Sequence, residues 1–241
     1  MTHKDHPRGP IVENWKVPPQ PGHMILSGRY ARLEPLSADA HAALLFHAFD
    51  GDETVWDYMP VGPFASAAQF HRWMREATAR DDILFFAIDD IEMGAPGGFA
   101  SYLRIKPEAG SIEVGFIAMA PRLQRTRAAT EAIYLMMKWA FEAGYRRFEW
   151  KCDALNTASR RAAQRLGLSY EGVFRQAAVV KGRNRDTAWF AAIDSEWPAL
   201  DEAFRFWLAP SNFDERGLQR EALSDLTRLV RATDDPALRV G

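Results

Sequence analysis

The stretch from Ser111 to Gly144, SIEVGFIAMAPRLQRTRAATEAIYLMMKWAFEAG, constrains the fold more than any other part of the chain. It begins with a run rich in Ile, Val and Phe that ends at Met119 and predicts a buried strand. Pro121 ends this strand because it has no N–H to donate to a ladder. A helical period then runs from Ala128 to Gly144 and predicts a helix with a glycine stop, with Glu131, Lys138 and Glu142 away from its apolar face. When a strand leads through a short loop into a helix, the free amides and the positive end of the helix dipole face the same place. This arrangement favours the binding of an anion such as diphosphate.

The loop of this stretch is basic, with Arg122, Arg125 and Arg127. From Arg122 to Arg185 there are 14 Lys and Arg against 5 Asp and Glu, a local charge of +9, whereas the whole chain carries −2 and the remainder therefore −11. This division fits an anionic cofactor on the basic half and a cationic substrate on the acidic half, and equally a simple segregation of surface charge. The net charge gives no global basic footprint, so we expect no nucleic-acid partner.

The composition limits the class of protein further. A chain of 241 residues suffices for one sizeable core with appendages. No apolar run approaches the length of a membrane span and the N-terminal segment lacks a signal-like apolar core, which predicts a cytoplasmic protein with no membrane partner. Cys152 is the one cysteine of the sequence, which excludes an internal disulfide and a cysteine-cluster metal site, and we expect no metal.

Hydrophobic patterns predict the order of elements along the rest of the chain. Residues 1–25 are rich in proline and predict an extended arm, residues 26–198 form the main domain, and residues 199–241 a helical extension. A turn is predicted at Met93–Gly98, and the extension should contain a helix over Phe213–Val230, interrupted at Gly217. Within the main domain the order is strand, two helices, three strands, helix, strand, helix and two strands. Ser37, Ser66 and Asn156 are predicted to open helices. The strands on either side of the helix 128–144 should be parallel, because a crossover helix joins them. In the second of them, Tyr145–Cys152, apolar and charged residues alternate from Arg147 to Cys152.

Two motifs resemble those of a known enzyme superfamily. Gln124-Arg125-Thr126-Arg127-Ala128-Ala129 resembles the pyrophosphate loop of the GNAT acetyltransferases, Gln/Arg-x-x-Gly-x-Gly/Ala, with Arg127 in place of the first glycine. A side chain at that position must either point away from the phosphates or grip them. The second motif, Asn156-x-x-Ser159 followed by Leu166-Gly167-Leu168 and Glu171-Gly172, resembles the RimJ/RimL-like branch of this superfamily.

The resemblance implies an α+β fold of the GNAT type, in which helices flank a central mixed, mostly antiparallel sheet with one splayed parallel strand pair. It also implies acetyl-CoA as cosubstrate, held between the strands 111–119 and 145–152. The cofactor-binding residues expected on this basis are Phe116, Ile117, Ala118, Met119, Gln124, Arg125, Thr126, Arg127, Ala128, Ala129, Thr130, Asn156, Ser159 and Arg160.

Two side chains are candidates for catalysis. Ser159 is placed to protonate the departing CoA thiolate, or is a hydroxyl on the helix surface. Acetylation of an amine requires the neutral amine and therefore a base. Glu113, a lone carboxylate in an apolar strand, is the best candidate for that base, and its alternative is a structural pair with an arginine such as Arg104.

The acceptor side is predicted from a loop rich in aromatic residues. Trp56, Tyr58 and Phe64 either line the acceptor pocket or form a lid on the core, and Glu113 and Arg175 complete the expected substrate-binding set. The sequence thus predicts an acetyl-CoA-dependent N-acetyltransferase that moves an acetyl group by direct transfer to a primary amine, either a small molecule or a peptide N-terminus. The alternative is a non-catalytic acyl-CoA-binding or sensing module, suggested by Arg127 and by the lack of a clear base. The acceptor, the acyl chain and a homodimeric state stay open.

Overall fold

The computed structural model describes residues 6–238 and contains one sheet of eight strands, ordered along the sheet as 1-2-3-4-5-6-8-7. Parallel pairing joins only the fifth and sixth strands, and all other neighbours in the sheet are antiparallel. The predicted α+β class with a mixed, mostly antiparallel sheet is therefore confirmed. The strands are β1 (Leu26–Ser27), β2 (Ala31–Pro35), β3 (Ile83–Asp90), β4 (Ala95–Lys106), β5 (Ser111–Met119), β6 (Arg147–Asp153), β7 (Ser169–Val180) and β8 (Arg183–Ile193).

In residues 6–238 six α-helices flank the sheet, and short polar side chains cap four of them. Ser37, Ser66, Thr126 and Asn156 each accept a hydrogen bond from an amide of the first turn, so the predicted openings at Ser37, Ser66 and Asn156 are confirmed. The helices are α1 (Ala38–Ala48), α2 (Ala67–Thr78), α3 (Arg127–Glu142), α4 (Thr157–Arg165), α5 (Trp197–Leu208) and α6 (Leu223–Arg228), with 3₁₀ turns at 53–56, 107–109, 210–212 and 236–238.

The two faces of the sheet carry separate apolar cores. Alternate residues of each strand point to opposite faces, so that Phe86 of β3 packs under α3 whereas its neighbour Phe85 packs under α1 and α2. The α3 face also receives α4, α5 and α6 through residues such as Ala163, Phe204 and Leu223. Because the cores are separate, a ligand that passes between two strands meets different surroundings on the two sides.

The parallel pair opens along its length. β5 and β6 are paired only from Ser111 with Arg147 to Val114 with Trp150, although both strands continue beyond these residues. On its other side β5 has a bulge against β4, where the register shifts between Phe99 and Ser101. Phe116 lies in this bulge with φ of 47°. A bulge bends and twists its strand, which is consistent with β5 turning away from β6 at this point.

Three segments differ from the sequence prediction. β4 begins at Ala95, inside the predicted turn Met93–Gly98, so that Pro96 pairs with β3 and Gly98 pairs with both β3 and β5. The predicted helix Phe213–Val230 is wrong: only α6 is helical there, and residues 213–222 form a loop with one β-bridge, between Phe213 and Gln219. The main helix α3 begins at Arg127, one residue before its predicted start.

The N-terminal arm and the C-terminal segment both pack on the main domain. Residues 6–25 contain neither helix nor strand, and the Tyr145 hydroxyl donates to the carbonyl of Pro19 at 3.0 Å. At the start of the C-terminal segment, two rings of α5 stack on two rings of α3: Trp197 on Phe141 and Phe204 on Tyr134. Of the helices in residues 6–238, none has the length and apolar character needed to cross a membrane.

Candidate active site

The wedge between the separated ends of β5 and β6 is the centre of the candidate site. Beyond Val114, the β5 residues Gly115–Met119 have no partner in β6, so their backbone groups on that side are released from the ladder. The helices that follow these two strands, α3 and α4, begin near the open end of the wedge. A ligand that contains amide groups could lie along this part of β5 and form hydrogen bonds with its unpaired backbone groups, as an added strand does.

The N-terminus of α3 supplies a place for an anion. The Thr126 hydroxyl accepts from the amide of Ala129 at 3.0 Å and donates to the carbonyl of Leu123 at 2.8 Å, which fixes the loop against the helix. The amides of Arg127 and Ala128 belong to the first turn, where a helix offers no internal acceptor. They lie at the positive end of the helix dipole and form a ready anion site.

The three arginines of this loop have different surroundings. Arg122 donates to the carbonyl of Pro96 at 2.7 Å. Arg127 contacts the rings of Tyr30 and Phe213, at 4.7 and 5.0 Å, and pairs with Glu92 at 3.4 Å, so its side chain turns away from the amides of its own helix. Arg125 is exposed, has φ of 62°, and makes no hydrogen bond or ion pair within residues 6–238. Arg125 is therefore the arginine of the loop that is available to a ligand.

Ser159 lies in the first turn of α4 with a defined hydrogen-bond donor. The indole Nε1 of Trp150, on β6, donates to Ser159 Oγ at 3.0 Å. Asn156 Oδ1 accepts from the amide of Ser159 at 2.9 Å, which makes Asn156 the helix cap. Because the hydroxyl oxygen already accepts from the indole, its own proton is left to donate to another atom. The thiol of Cys152 is nearby; burial raises its pKa to about 11, while a hydrogen bond with Ser159 acts in the opposite direction.

Arg160 is engaged elsewhere than expected. Its guanidinium forms two hydrogen bonds of 2.6 Å with the carboxylate of Asp235 and donates to the carbonyl of Ala154 at 2.7 Å. Asp235 comes from the C-terminal tail and is 0% exposed. The contacts of Arg160 are thus those of a buried structural ion pair and give no support to the expected contact with the cofactor.

Glu113 is not the isolated carboxylate that the sequence indicated. One of its oxygens accepts from Arg104 at 2.7 Å and the other pairs with the ammonium of Lys151 at 2.8 Å. Its side chain is only 3% exposed. The ion pair with Arg104 is the structural alternative to a catalytic role for Glu113. Lys151 is an additional partner. The carboxylate lies one residue before the last parallel pair of β5 and β6, at the closed end of the wedge.

Glu113 belongs to a row of charges that crosses the sheet. Lys151 also pairs with Glu149 at 2.8 Å, Arg147 with Glu149 at 2.7 Å, and Arg147 with Glu171 through two further hydrogen bonds. Burial by itself would raise the pKa of Glu149, but hydrogen bonds from Lys151 and Arg147 outweigh it and the pKa is lowered. The ammonium of Lys151 also lies 3.6 Å from the centre of the Trp189 ring. Signs alternate along the row, so it is close to neutral as a unit.

The aromatic loop is held over the wedge from both sides. The Tyr58 hydroxyl donates to the carbonyl of Leu155 at 3.3 Å, and Lys181 at the tip of the β7–β8 hairpin donates to the carbonyl of Trp56 at 2.8 Å. Trp56 itself is 5% exposed and packs among Phe49, Phe64 and other rings. Trp56 is therefore part of the core lid, whereas Tyr58 is 39% exposed and free to meet a ligand.

The last expected substrate residue, Arg175, lies on the exposed β7–β8 hairpin. It lines an open depression with Phe174, Gln176 and Asp186. Two hydrogen bonds reach the same oxygen of Asp186, from the Gln176 amide at 2.7 Å and from Asn184 at 3.0 Å, and they lower its pKa. The carbonyl of Asp186 accepts from the amide of Ala154, so this depression adjoins the end of β6.

Sequence reasoning missed three contributors to this site. Trp150 and Lys151 lie in a strand whose alternation was recognised, and the period-two pattern places them on opposite faces, but it does not identify their partners. Asp235 lies 75 residues from Arg160 and had no local signal. Among residues 6–238 there is no cluster of His, Cys, Asp and Glu side chains that could hold a metal ion.

Comparison with known proteins agrees with this architecture. The family described as Acetyltransferase (GNAT) domain matches residues 31–169. The chain is similar to a GCN5-related N-acetyltransferase from Brucella melitensis, with 46% sequence identity and a TM-score of 0.88 over 90% of this chain and 100% of the other. It is also similar to a probable GNAT acetyltransferase from Chromobacterium violaceum, with 40% identity and a TM-score of 0.76 over 80% of this chain and 98% of the other.

More distant structures share the fold. One is RimL, described as a ribosomal L7/L12 alpha-N-protein acetyltransferase, with 20% identity and a TM-score of 0.60 over 74% of this chain and 99% of the other. No curated protein matches the chain. The family match covers more than half of the chain, and the two nearer structures are aligned over almost their whole length. The chain therefore belongs to the GNAT acetyltransferase family, and the wedge between β5 and β6 is its candidate active site.

Proposed function

We propose that this protein is an acetyl-CoA-dependent N-acetyltransferase that transfers an acetyl group directly to a primary amine. The observation that carries the proposal is the separation of β5 from β6 after Val114, beside the capped N-terminus of α3. An elongated ligand with amide groups at one end and a diphosphate at the other fits this pairing of a split strand with a helix end. CoA has both parts.

The residues that would hold acetyl-CoA divide into two sets. The backbone of Phe116–Met119 would pair with the amide-rich arm, and the amides of Arg127 and Ala128 with the side chain of Arg125 would bind the diphosphate. The amides of Ala129 and Thr130, which the sequence also predicted as ligands, already donate to Thr126. Gln124 donates to the carbonyl of Met119 at 3.0 Å, which ties the anion loop to the end of β5. Acetyl-CoA supplies a thioester whose carbonyl carbon accepts the amine and whose sulfur leaves.

Ser159 is the proposed proton donor for the departing sulfur. The amine nitrogen forms a bond to the acetyl carbon, the C–S bond breaks, and the sulfur takes the proton of Ser159, which regains one from water. Because Ser159 Oγ accepts from Trp150, the serine proton is available to donate to another atom. A thiol has an ordinary pKa of about 8.5, so the sulfur needs only modest help to leave.

Glu113 is less suited to the role of base than its position in the sequence indicated. Oε1 accepts a hydrogen bond from Arg104, and Oε2 lies 2.8 Å from the Lys151 ammonium without forming a hydrogen bond. A proton on either oxygen would remove the negative charge that compensates both cations. We therefore propose that Glu113 holds Lys151 in the row of charges and that the amine loses its proton to water. The acidic limb of the rate against pH would then follow the pKa of the amine, and would remain in Glu113→Gln.

Two observations suggested the alternative of a non-catalytic acyl-CoA-binding module, and one of them does not hold in the structure. That one is Arg127 in the glycine position, whose side chain contacts Tyr30 and Phe213 instead of the loop amides. The absence of a clear base does not by itself disfavour catalysis, because an amine loses part of its protons without help at alkaline pH.

The test is release of CoA from acetyl-CoA across a panel of amines, with Ser159→Ala compared with the wild type. We expect kcat to fall about 10- to 100-fold with the KM of the amine unchanged, as for loss of a general acid. Ser195→Ala, on an exposed turn, is the matched control and should keep full activity. Tight CoA binding with no amine acetylated at any pH would favour the binding module, and full activity of Ser159→Ala would remove the serine from the mechanism.

A further inference from the structure

We propose that a cavity of about 200 Å³ between α2, β3 and the bulge of β5 binds the acceptor, and that the acceptor is a compact amine with an apolar group of about one ring. This inference rests on the proposed function. The cavity is lined mainly by Val61, Trp73, Phe85 and Phe116, with Glu76 and Arg80 as its charged groups. It differs from the site expected in the sequence, because Trp56 and Phe64 are turned into the core next to it.

The position of the cavity suits an acceptor. Phe116 is the bulge residue of β5 and so belongs to both the wedge and the cavity wall. Phe85 points to the α1 and α2 face of the sheet, which is opposite to the face covered by α3. A cofactor anchored at the N-terminus of α3 and an amine held in this cavity would therefore approach the wedge from opposite sides. Direct transfer requires both substrates to be bound together, and this arrangement allows it.

The walls determine what fits. Three aromatic rings enclose the space: Trp73, Phe85 and Phe116, with Phe85 and Phe116 in an edge contact at 5.5 Å. An apolar cavity of about 150 Å³ accommodates benzene, so about 200 Å³ accommodates one ring with a short side chain. A long peptide or a polyamine would leave most of its length outside and would gain little from these walls. Burial of apolar surface contributes about 25 cal/mol per Å², which favours a ring over a methyl-sized group.

The charges on the walls favour a cation. Arg80 is neutralised by Asp82 through two hydrogen bonds of 2.9 and 2.7 Å. The side chain of Glu76 makes no hydrogen bond or ion pair within the described part of the chain, so it leaves one uncompensated carboxylate on the wall. Aromatic faces also attract cations. An amine arrives mainly as its ammonium form, and the wall would attract that form to the cavity.

The experiment measures kcat and KM with benzylamine, 2-phenylethylamine and cyclohexylamine, and compares them with ethanolamine, spermidine and a peptide with a free N-terminus. The ring-bearing amines should be preferred in kcat/KM by about tenfold or more, the range that one or two buried carbon groups provide. CoA binding is measured separately by calorimetry, so that a loss of acceptor binding is not confused with a loss of cofactor binding.

Two variants with matched controls test the cavity itself. Val61→Phe fills it, and Val55→Phe makes the same change at another partly buried position that packs on the same core but does not line the cavity. Glu76→Gln removes the free carboxylate, and Glu53→Gln removes an exposed one from the neighbouring loop. We expect Val61→Phe to raise the KM of ring-bearing amines about tenfold or more and Glu76→Gln to raise it several-fold, with the CoA dissociation constant unchanged. Both controls should behave as wild type.

Three results would overturn the inference. If Val61→Phe leaves ring-bearing amines unaffected and peptides remain the best acceptors, the cavity is not the acceptor site, although the acetyltransferase function stands. If Val61→Phe instead changes the choice between acetyl-CoA and longer acyl-CoA donors, the cavity holds the acyl chain. If Val55→Phe has the same effect as Val61→Phe, the effect comes from the core and not from the cavity. Absence of both CoA binding and acetyl transfer in the wild type would count against the proposed function instead.

Discussion

At the scale of the residue, Arg127 shows how one departure from a motif is accommodated. The position corresponds to a glycine in the loops that this one resembles, and a side chain there would crowd a bound anion if it pointed toward it. The guanidinium is instead held between Tyr30 and Phe213 and paired with Glu92. The helix amides stay accessible, and the loop gains contacts to three separate segments of the chain.

Glu131 shows what a helical period does not reveal. The sequence placed it on a polar face of the helix with Lys138 and Glu142, but it is 5% exposed. Its carboxylate accepts three hydrogen bonds of 2.5 to 3.0 Å, from the amides of Arg29, Tyr30 and Ala31. A period of 3.6 residues reports which face a residue occupies, but not that a distant turn will cover that face with unpaired amides.

We predict that Glu131→Ala lowers the free energy of unfolding by roughly 3–5 kcal/mol, since it removes three hydrogen bonds to a charged group and leaves buried donors unpaired. Glu131→Gln should cost less, because one amide oxygen remains as an acceptor. Urea denaturation measures both. Glu142→Ala, on the exposed part of the same helix, is the control and should change little. A loss below 1 kcal/mol in Glu131→Ala would mean that the turn at 29–31 does not depend on this carboxylate.

At the scale of the element, α4 depends on the C-terminal tail. Arg160, next to Ser159, is bound through two hydrogen bonds to Asp235, and the amide of Asp235 donates to Gln164 of the same helix at 2.7 Å. The hydroxyl of Thr227 in α6 also donates to the carbonyl of Arg165 at 3.0 Å. The first turn of α4 carries the proposed proton donor, so the tail acts on the site through the position of this helix.

We predict that Asp235→Asn lowers the free energy of unfolding by about 3 kcal/mol, because the buried guanidinium loses its compensating charge. It should also lower kcat while the CoA dissociation constant changes little, since the anion loop is on another helix. Asp225→Asn, an exposed change in α6, is the control. The double variant Arg160→Met with Asp235→Leu should recover stability, as replacement of a buried pair by apolar groups often does. A kcat equal to wild type in Asp235→Asn would show that the tail stabilises α4 without positioning Ser159.

The elements also show where sequence reasoning succeeds. The caps Ser37, Ser66 and Asn156 were predictable, because a cap and its amide lie within three residues of each other. The parallel pair was predictable because a crossover helix allows little else. The structure of segment 213–230 was not predictable in this way. Its apolar residues indicate a helix, but Phe213 packs on Trp207 and on Arg127, and Arg127 is remote from it in sequence. The sequence indicates one partner of Glu113, Arg104, but not the other, Lys151, because Lys151 lies on a different strand beyond the crossover helix.

At the scale of the whole molecule, the sheet separates two binding faces. The α3 face carries the helix N-termini and the basic loop, and the α1 and α2 face carries the aromatic rings around Phe116. The wedge between β5 and β6 is the passage between them. We propose that the wedge and the anion loop bind acetyl-CoA, with Arg125 as a ligand of its diphosphate and Arg127 turned away.

Calorimetric titration of CoA into the wild type, Arg125→Glu and Arg127→Ala tests this claim most directly. We predict binding of one CoA per chain, a loss of about 1.5–3 kcal/mol or more in Arg125→Glu, the range for a hydrogen bond to a charged group, and nearly unchanged affinity in Arg127→Ala. Arg75→Glu, an equal charge reversal on the exposed side of α2, should bind as the wild type. Absence of binding to the wild type at millimolar CoA, or a larger loss in Arg127→Ala than in Arg125→Glu, would contradict the account.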